Sequence, residues 1–230
     1  MTVLGPRLSA VSLLVCAALL GACSDEGLNP IVGAAIDEIT PGEAPAAPAK
    51  ATRVTREAIN RADVATIRIR LPGDKQPSYM SAASDNGGFV TYASAYRQSL
   101  TLRGAQVTAS RGLGFDLLSA TSSQPDPLVR PIPPDSWPAT VRRSYEFSAW
   151  APQGEIRSFD CHYERGAVRD IVILDQPHRG VEISETCTGP SGSFENLHFV
   201  DAGGTVWRSL QWLGPRQGNV DVEIVLPYTP

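Results

Sequence analysis

The chain has 230 residues, 42% of them hydrophobic and 19% charged, with a formal net charge of -4 at pH 7. Apart from one short N-terminal segment, no apolar run approaches the roughly 18 residues of a membrane helix, so the composition predicts one soluble domain of ordinary size. Most of the negative charge lies in residues 24–50, and because the remainder is nearly neutral and lacks a basic cluster, nucleic acid is not expected as a partner.

The N-terminus has the pattern of a cleaved signal peptide, residues 1–22. Arg7 precedes a run of almost entirely apolar residues, Ser9–Ala22, which is shorter than the roughly 20 residues that span a bilayer. Leu20-Gly21-Ala22-Cys23 resembles the lipobox of bacterial lipoproteins, in which the cysteine receives a diacylglyceryl group and usually a further acyl chain such as palmitate. The alternative is a plain secretory signal with an incidental cysteine.

Acylation of Cys23 would make membrane lipid a partner of the chain, since two or more acyl chains give stable attachment. In bacterial lipoproteins the residue after the acylated cysteine influences sorting. Ser24 stands there in place of Asp, which favours sorting to the outer membrane, with the protein facing the periplasm. Residues 23–50 then form a flexible tether rich in Ala and Pro, because such sequence cannot bury enough apolar surface to fold. The folded domain is predicted over residues 51–230.

The first half of that domain predicts a short helix and then antiparallel hairpins. The helix is expected near Val54–Ala62, and Thr66–Leu71 alternates apolar and polar residues as a half-buried strand does. Asp85-Asn86-Gly87-Gly88 is typical of a tight hairpin turn, because Asn and Gly tolerate positive φ. Further strands are predicted at Ser78–Ala83, Phe89–Ala93, Ser99–Leu102 and Gln106–Ala109.

Residues 121–138 contain six prolines, a density that excludes a helix or a central strand. We expect a long surface loop here, either functional or merely a crossover, that divides the strands into an N-terminal and a larger C-terminal set.

The second half predicts a regular meander of seven strands. Ile171–Leu174 is apolar on both faces and is expected to be central, whereas the last strand alternates and is expected to show one face to water. The fold class is therefore all-β, an antiparallel meander forming a curved sheet that closes as a partial barrel or sandwich. The strands are Val141–Ala149, Glu155–Tyr163, Val168–Leu174, Val181–Thr188, Glu195–Val200, Val206–Trp212 and Val220–Leu226, with turns that include 152–154, 165–166 and 176–177.

Cys161 and Cys187 are the cysteines that remain in the predicted domain, and in an oxidising periplasm such a pair favours a disulfide. A disulfide requires two Cα atoms within about 7 Å of each other, but the predicted meander places the cysteines two strands apart, with their Cα atoms about 9.5 Å apart. One strand must then bend, bulge or pair out of order.

Catalytic and metal-binding patterns are missing from the sequence, so no catalytic residue, metal or cofactor is predicted. Cys161-His162 near Cys187 imitates a metal cluster, but C-x-x-C and H-x-x-x-H are absent and the disulfide is favoured. Glu182 and Glu185 fall on opposite faces of one strand and are interpreted as solvated surface. An unrecognised hydrolase remains an alternative.

Two segments resemble a known family. Ser110–Leu117 is similar to its T-x-G-L-x-x-D-L segment. Asn196–Asp201, Gly204 and Val206–Pro215 are similar to its C-terminal signature, an N-x-aromatic-V-D turn followed by V-W-K-S-x-Q-W-x-G-P. The family is the GfcB/YjbF-type lipoproteins, associated with group 4 capsule and related exopolysaccharide loci.

This resemblance implies a non-catalytic outer-membrane accessory of polysaccharide export, with export proteins or the glycan as partners. The sequence departs from the family pattern at Arg208, where Lys is common, and at His198, where Tyr or Trp is usual.

Strand 206–213 offers one candidate contact surface. Trp207, Ser209 and Gln211 share a face, and an aromatic ring with amide and hydroxyl groups could bind a sugar. The alternative is that Trp207 and Trp212 are core residues. A carbohydrate- or lipid-binding module with its ligand in the concave face is thus the main rival to the accessory role, and a filled interior would argue against it.

Overall fold

The computed structural model describes residues 54–148 and 155–229. The predicted signal peptide, the acylated Cys23, the tether of residues 23–50 and the turn at 152–154 lie outside these ranges and stay predictions. None of the helices in the described ranges is long and apolar enough to cross a membrane.

The described chain begins with one short helix, α1 (Arg56–Ala62). Thr55 caps it, since its hydroxyl accepts a hydrogen bond from Ala58 N at 3.2 Å and satisfies one of the free N–H groups of the first turn. Twelve strands follow in the described residues: β1 (Thr66–Arg70), β2 (Ser78–Asn86), β3 (Phe89–Ala93), β4 (Ser99–Arg103), β5 (Gln106–Arg111), β6 (Leu117–Ser122), β7 (Thr140–Phe147), β8 (Glu155–Ile173), β9 (Gln176–Gly189), β10 (Gly192–Val200), β11 (Val206–Gly214) and β12 (Gly218–Leu226).

All twelve strands form one antiparallel sheet, in the order β5-β4-β3-β2-β1-β12-β11-β10-β9-β8-β7-β6. The first and last strands, β1 and β12, pair with each other in the middle of the sheet, which leaves β5 and β6 as its edge strands. The sheet curls until these two edges meet in a nearly closed, barrel-like form. Side chains join the two edges: Leu117 N donates to Ser110 Oγ at 3.0 Å, and Arg111 Nη1 donates to Leu117 O at 3.1 Å. The predicted all-β meander with a short N-terminal helix is confirmed.

The interior of the sheet is filled by apolar side chains. On β1 the alternation places Ile67 and Ile69 inward, where they are at most 2% exposed, and leaves Arg70 at the surface. Residues from most other strands complete the same cluster, among them Met80, Leu100, Leu102, Leu117, Tyr145, Phe159, Leu213, Val220 and Val222. Burying each such side chain contributes about 1.5–3 kcal/mol, so this interior is the main source of stability.

The predicted turn at 165–166 is wrong. Strand β8 runs unbroken for 19 residues, and a bulge between Arg165 and Val168 bends it where the turn was expected. The next turn lies at Leu174-Asp175, both with positive φ, rather than at 176–177. The second half therefore has six strands where seven were predicted.

Beyond the bulge, β8 and β9 continue as a two-stranded arm of the same sheet, residues 168–181, in which, within the described chain, only Val181 pairs with a further strand, β10. Val172 is 65% exposed, so the prediction that Ile171–Leu174 is central is wrong. Helix α1 holds the tip of the arm, because Arg56 Nη2 donates to Ile173 O at 2.7 Å and its Nε donates to Leu174 O at 3.1 Å. At Gly180 an added Cβ would lie 2.4 Å from Val200 O, so only glycine permits this approach to β10.

The outward face of β12 is not turned to water as predicted. Glu223 on that face is only 7% exposed, and Arg68 of β1 and Arg208 of β11 lie beside it as charge partners. Val172 of the arm lines the same groove as these residues.

The prolines do end the strand pattern, but the loop at 123–139 is not wholly on the surface. Asp126 and Leu128 are at most 2% exposed, and Leu128 packs in a second apolar cluster with Val181 and Val206. Strand β6, which precedes this loop, was not predicted. The two sets of strands therefore divide between β5 and β6, before the prolines.

The disulfide between Cys161 and Cys187 is present. Because β8 is continuous, the two cysteines face each other on neighbouring strands with their Cα atoms 3.9 Å apart. The predicted separation by two strands depended on the turn that does not form.

We expect the double variant Cys161→Ser/Cys187→Ser to unfold at lower urea concentration than the oxidised wild type, with a loss of about 3 kcal/mol in free energy of unfolding. The bridge joins residues 26 apart, which restricts the unfolded chain. Urea titration followed by circular dichroism measures this, with reduced wild type as control. Equal midpoints for the double variant and the oxidised wild type would contradict it.

Candidate functional site

A cluster of charged side chains is buried inside the barrel around Arg143 of β7. Arg143 Nε donates to Glu185 Oε1 at 2.6 Å, Nη1 donates to Asp126 Oδ2 at 2.7 Å, and Nη2 donates to Tyr163 OH at 2.8 Å. The side chains of Arg143, Asp126 and Glu185 are at most 1% exposed. A buried guanidinium is stable only when its charge and its N–H groups are met in this way.

Glu185 of β9 carries the cluster on to β10. Its Oε2 accepts from Asn196 Nδ2 at 2.8 Å and lies 3.0 Å from His198 Nε2. Burial alone would raise the pKa of Glu185, but Arg143 and the hydrogen bonds from His198 and Asn196 outweigh burial and hold that pKa well below its usual range. Glu185 is therefore ionised, and its interpretation as solvated surface is wrong.

This cluster fastens the proline-rich loop to the barrel. Asp126 comes from the loop, whereas Arg143, Glu185 and His198 come from three strands of the wall. A substrate cannot reach side chains with so little exposure, so the cluster is a structural link rather than an open acid/base site. Sequence reasoning missed it because the residues adjacent to Arg143 are polar or charged, although the apolar residues two positions away, Val141 and Tyr145, were a signal that this face is inside.

The predicted strip on β11 is divided by the fold. Gln211 is 5% exposed, its Oε1 accepts from Val107 N at 3.0 Å, and its Nε2 donates to Ala105 O at 2.8 Å and Ser209 Oγ at 2.7 Å. Trp207 is half-buried and donates to Asp201 Oδ2 at 2.9 Å. Of the three residues, only Trp207 is partly open to solvent, and sugar binding by the strip stays a prediction.

The cysteines and histidines that imitate a metal cluster are not arranged as one. Cys161, Cys187 and Glu185 lie close together, but the two sulfur atoms are bonded to each other and are not thiolate ligands. His162 is exposed, His178 lies on the arm with its ring 4.1 Å from that of Trp207, and His198 is in the buried cluster.

An open hollow lies at one end of the barrel, and we call it the distal cleft. Its volume is about 720 Å³, within the range of ligand pockets. It is formed by the loop between β5 and β6, the turn between β11 and β12, and the facing ends of β7 and β8. Its lining includes Phe115, Asp116, Phe147, Glu155, Arg157, Pro215, Arg216 and Gln217.

The distal cleft and α1 lie at opposite ends of the sheet. Thr66, just after α1, pairs with Leu226 at the end of β12, and Arg70 pairs with Asp221 nearer its beginning. Because β12 begins at Gly218, the turn before it is at the end away from α1. Both segments that carry the family resemblance reach this end, one through the loop 112–116 and the other through Gly214-Pro215.

A smaller hollow of about 300 Å³ lies at the α1 end. It is lined by apolar groups that include Val90, Leu128 and Val206, and by Tyr92, whose pKa burial and the nearby Tyr228 raise to about 12. Both hollows are at the ends of the barrel, and between them the interior is filled.

Comparisons with known proteins give one family and one fold. A family model described as group 4 capsule polysaccharide lipoprotein gfcB, YjbF matches residues 31–225. The crystal structure of the hypothetical lipoprotein YmcC from Escherichia coli K12 is similar with a TM-score of 0.65, at 19% identity, over 78% of this chain and 92% of that chain. That likeness shows the fold alone. No curated protein matches the chain.

We expect Glu185→Gln to lower the free energy of unfolding at pH 7 by about 3 kcal/mol, because it leaves the buried Arg143 short of counter-charge. The depressed pKa means that Glu185 stabilises the fold above its unfolded pKa of about 4.3 and that this stability is lost as pH falls towards the folded pKa. Acidification below about pH 5 should therefore cost the wild type more stability than the variant.

Urea unfolding between pH 7 and pH 2 measures both effects. Glu182→Gln is the matched control, because Glu182 pairs with Arg169 near the surface and its loss should cost at most about 1 kcal/mol. Equal losses for the two variants, or parallel pH profiles for Glu185→Gln and wild type, would contradict the prediction.

Proposed function

This chain belongs to the YjbF family of group 4 capsule polysaccharide lipoproteins, and we propose that it is a non-catalytic accessory of exopolysaccharide or capsule assembly and export. In this proposal the acylated Cys23 attaches it to the outer membrane, the domain faces the periplasm, and its partners are export proteins or the glycan itself.

The observation that carries the proposal is the family match, which covers nearly all of the described domain. The structure supports the non-catalytic part through its densest ionisable cluster, which lies in the interior and is used in bonds between the loop and the wall. These groups stabilise the domain and are not available to a substrate.

A carbohydrate-binding module is the second candidate, and the distal cleft is the observation that favours it. The filled interior argues against a ligand in the concave face, so a ligand would lie at an end of the barrel. The two candidates are compatible, because an accessory protein that contacts the glycan needs such a surface.

We expect deletion of the gene to reduce secreted polysaccharide or to leave it trapped in the periplasm. Quantitative sugar analysis of the medium and of the periplasmic fraction measures this, and complementation with the full chain is the control. Unchanged amount, location and composition of the polymer would contradict the accessory role.

We expect Cys23→Ser to release the protein from the outer-membrane fraction into the soluble periplasmic fraction, because the acyl chains provide the attachment. Cys16→Ser is the matched control, since it lies within the predicted signal peptide and leaves the lipobox intact. Membrane fractionation with immunoblotting measures both. A Cys23→Ser protein that still sediments with outer membranes would show that the attachment lies elsewhere.

A further inference from the structure

We propose that the distal cleft binds a segment of acidic glycan, with a sugar carboxylate held by Arg216 and sugar rings packed against the aromatic wall. This proposal rests on the proposed function, which makes a polysaccharide the expected ligand. It adds the place where the polysaccharide binds and the charge of its sugars.

The loop at the mouth of the cleft is held in one conformation. Asp116 accepts hydrogen bonds from Ser110 Oγ at 3.0 Å, Gly112 N at 2.9 Å and Leu113 N at 3.1 Å, all within the loop and the strand before it. Gln217 Oε1 in the facing turn accepts from Phe115 N at 3.1 Å. A surface that is ordered before binding loses little conformational entropy on binding, which favours a recognition role.

Phe115 is the exposed aromatic group that this framework presents. Its side chain is 45% exposed, although apolar burial would favour placing it in the core. The guanidinium of Arg216 lies 3.7 Å from its ring centroid. An aromatic ring and a guanidinium plane form a surface on which a pyranose can pack while the outer N–H groups bond its substituents.

The formal charges of the lining cancel, because Asp116 and Glu155 balance Arg157 and Arg216, and the preference for an anion comes from how these four groups are paired. Arg157 Nε donates to Glu155 Oε1 at 2.6 Å, but Arg216 has no carboxylate within 4.0 Å among the described residues. Asp116 is committed to the three donors of its own loop. Guanidinium groups bind carboxylates through two parallel hydrogen bonds, and this geometry suits a uronic acid or another carboxylated sugar.

The size and the walls of the cleft suit a short stretch of polymer. A volume of about 720 Å³ is large enough for a few sugar rings, and Phe147 and Pro215 provide apolar walls for their faces. A neutral glycan could use the walls but would leave Arg216 without a counter-charge. The structure therefore favours an acidic over a neutral ligand.

Isothermal titration of the full chain, purified in a non-sugar detergent, tests the site with three probes of equal length: tetragalacturonate, the neutral cellotetraose and the non-sugar anion tetraglutamate. We expect tetragalacturonate to bind at least about tenfold more tightly than either of the others, the ratio expected from one charge-assisted contact. Equal binding of cellotetraose would overturn the acidic preference, and equal binding of tetraglutamate would overturn a sugar site. No binding of tetragalacturonate would overturn the site.

Phe115→Ala and Arg216→Ala should each weaken tetragalacturonate binding by about tenfold or more. The chain offers a matched control in Phe89 and Arg103, a second exposed aromatic–guanidinium pair, 5.0 Å apart at the opposite end of the barrel. Phe89→Ala and Arg103→Ala should leave binding unchanged. Equal losses in both pairs would place the ligand outside the distal cleft and overturn the proposal.

Complementation of the deletion strain separates this proposal from the accessory function. If the wild-type chain restores export and Arg216→Ala fails while Arg103→Ala succeeds at equal protein level, both stand. If Arg216→Ala restores export fully and also binds tetragalacturonate as tightly as the wild type, the cleft proposal fails while the accessory function stands. A deletion without effect on export rejects the accessory function, whereas the titration still decides whether the cleft binds acidic glycan.

Discussion

The buried charge of Arg143 is the constraint on which much of this structure depends. A guanidinium with 1% exposure must find its counter-charges within the protein, and it finds one on β9 and the other on the proline-rich loop. Meeting that demand fixes Asp126 inside the barrel, and Leu128 then packs between the arm and the wall. A segment that could not form a helix or a central strand is thereby tied to the sheet by charge, in addition to backbone hydrogen bonds such as Ala105 N to Leu128 O at 2.7 Å.

The barrel separates two kinds of surface. At one end Arg56 of α1 donates to the tip of the arm and to Val225 O of β12, so the start of the described chain is joined to two strands far away in sequence. At the other end, hairpin turns and the loop 112–116 form an open cleft with an exposed aromatic ring and the guanidinium of Arg216, which has no carboxylate partner in the described part of the chain. The distal cleft is the larger of the two hollows described at the ends of the barrel, and the proposed recognition site lies there.

Much of the fold could be predicted because period-2 alternation and turn residues are local signals. The hairpin at Gly87-Gly88 was predicted from residues that favour positive φ, and the structure has φ of 61° and 87° there. The Arg165-Gly166 pair gave the same kind of signal, but the turn predicted from it is wrong, because a β-bulge also bends a strand and also favours glycine. The pairing of Cys161 with Cys187 was correct, but its geometry followed only once β8 was known to be continuous.

By itself the sequence determined the fold class, the strand alternation, the disulfide partners and the family, because each depends on local periodicity or on motifs of fixed spacing. Tertiary structure alone decided which polar residues are inside. Glu185, Gln211 and His198 look like surface residues in the sequence, and they are buried because partners more than ten residues away supply their hydrogen bonds. The distal cleft was equally hidden, since Phe115 lies where the edge strands β5 and β6 meet, and only the curling of the sheet brings it to Arg216 in the turn between the central strands β11 and β12.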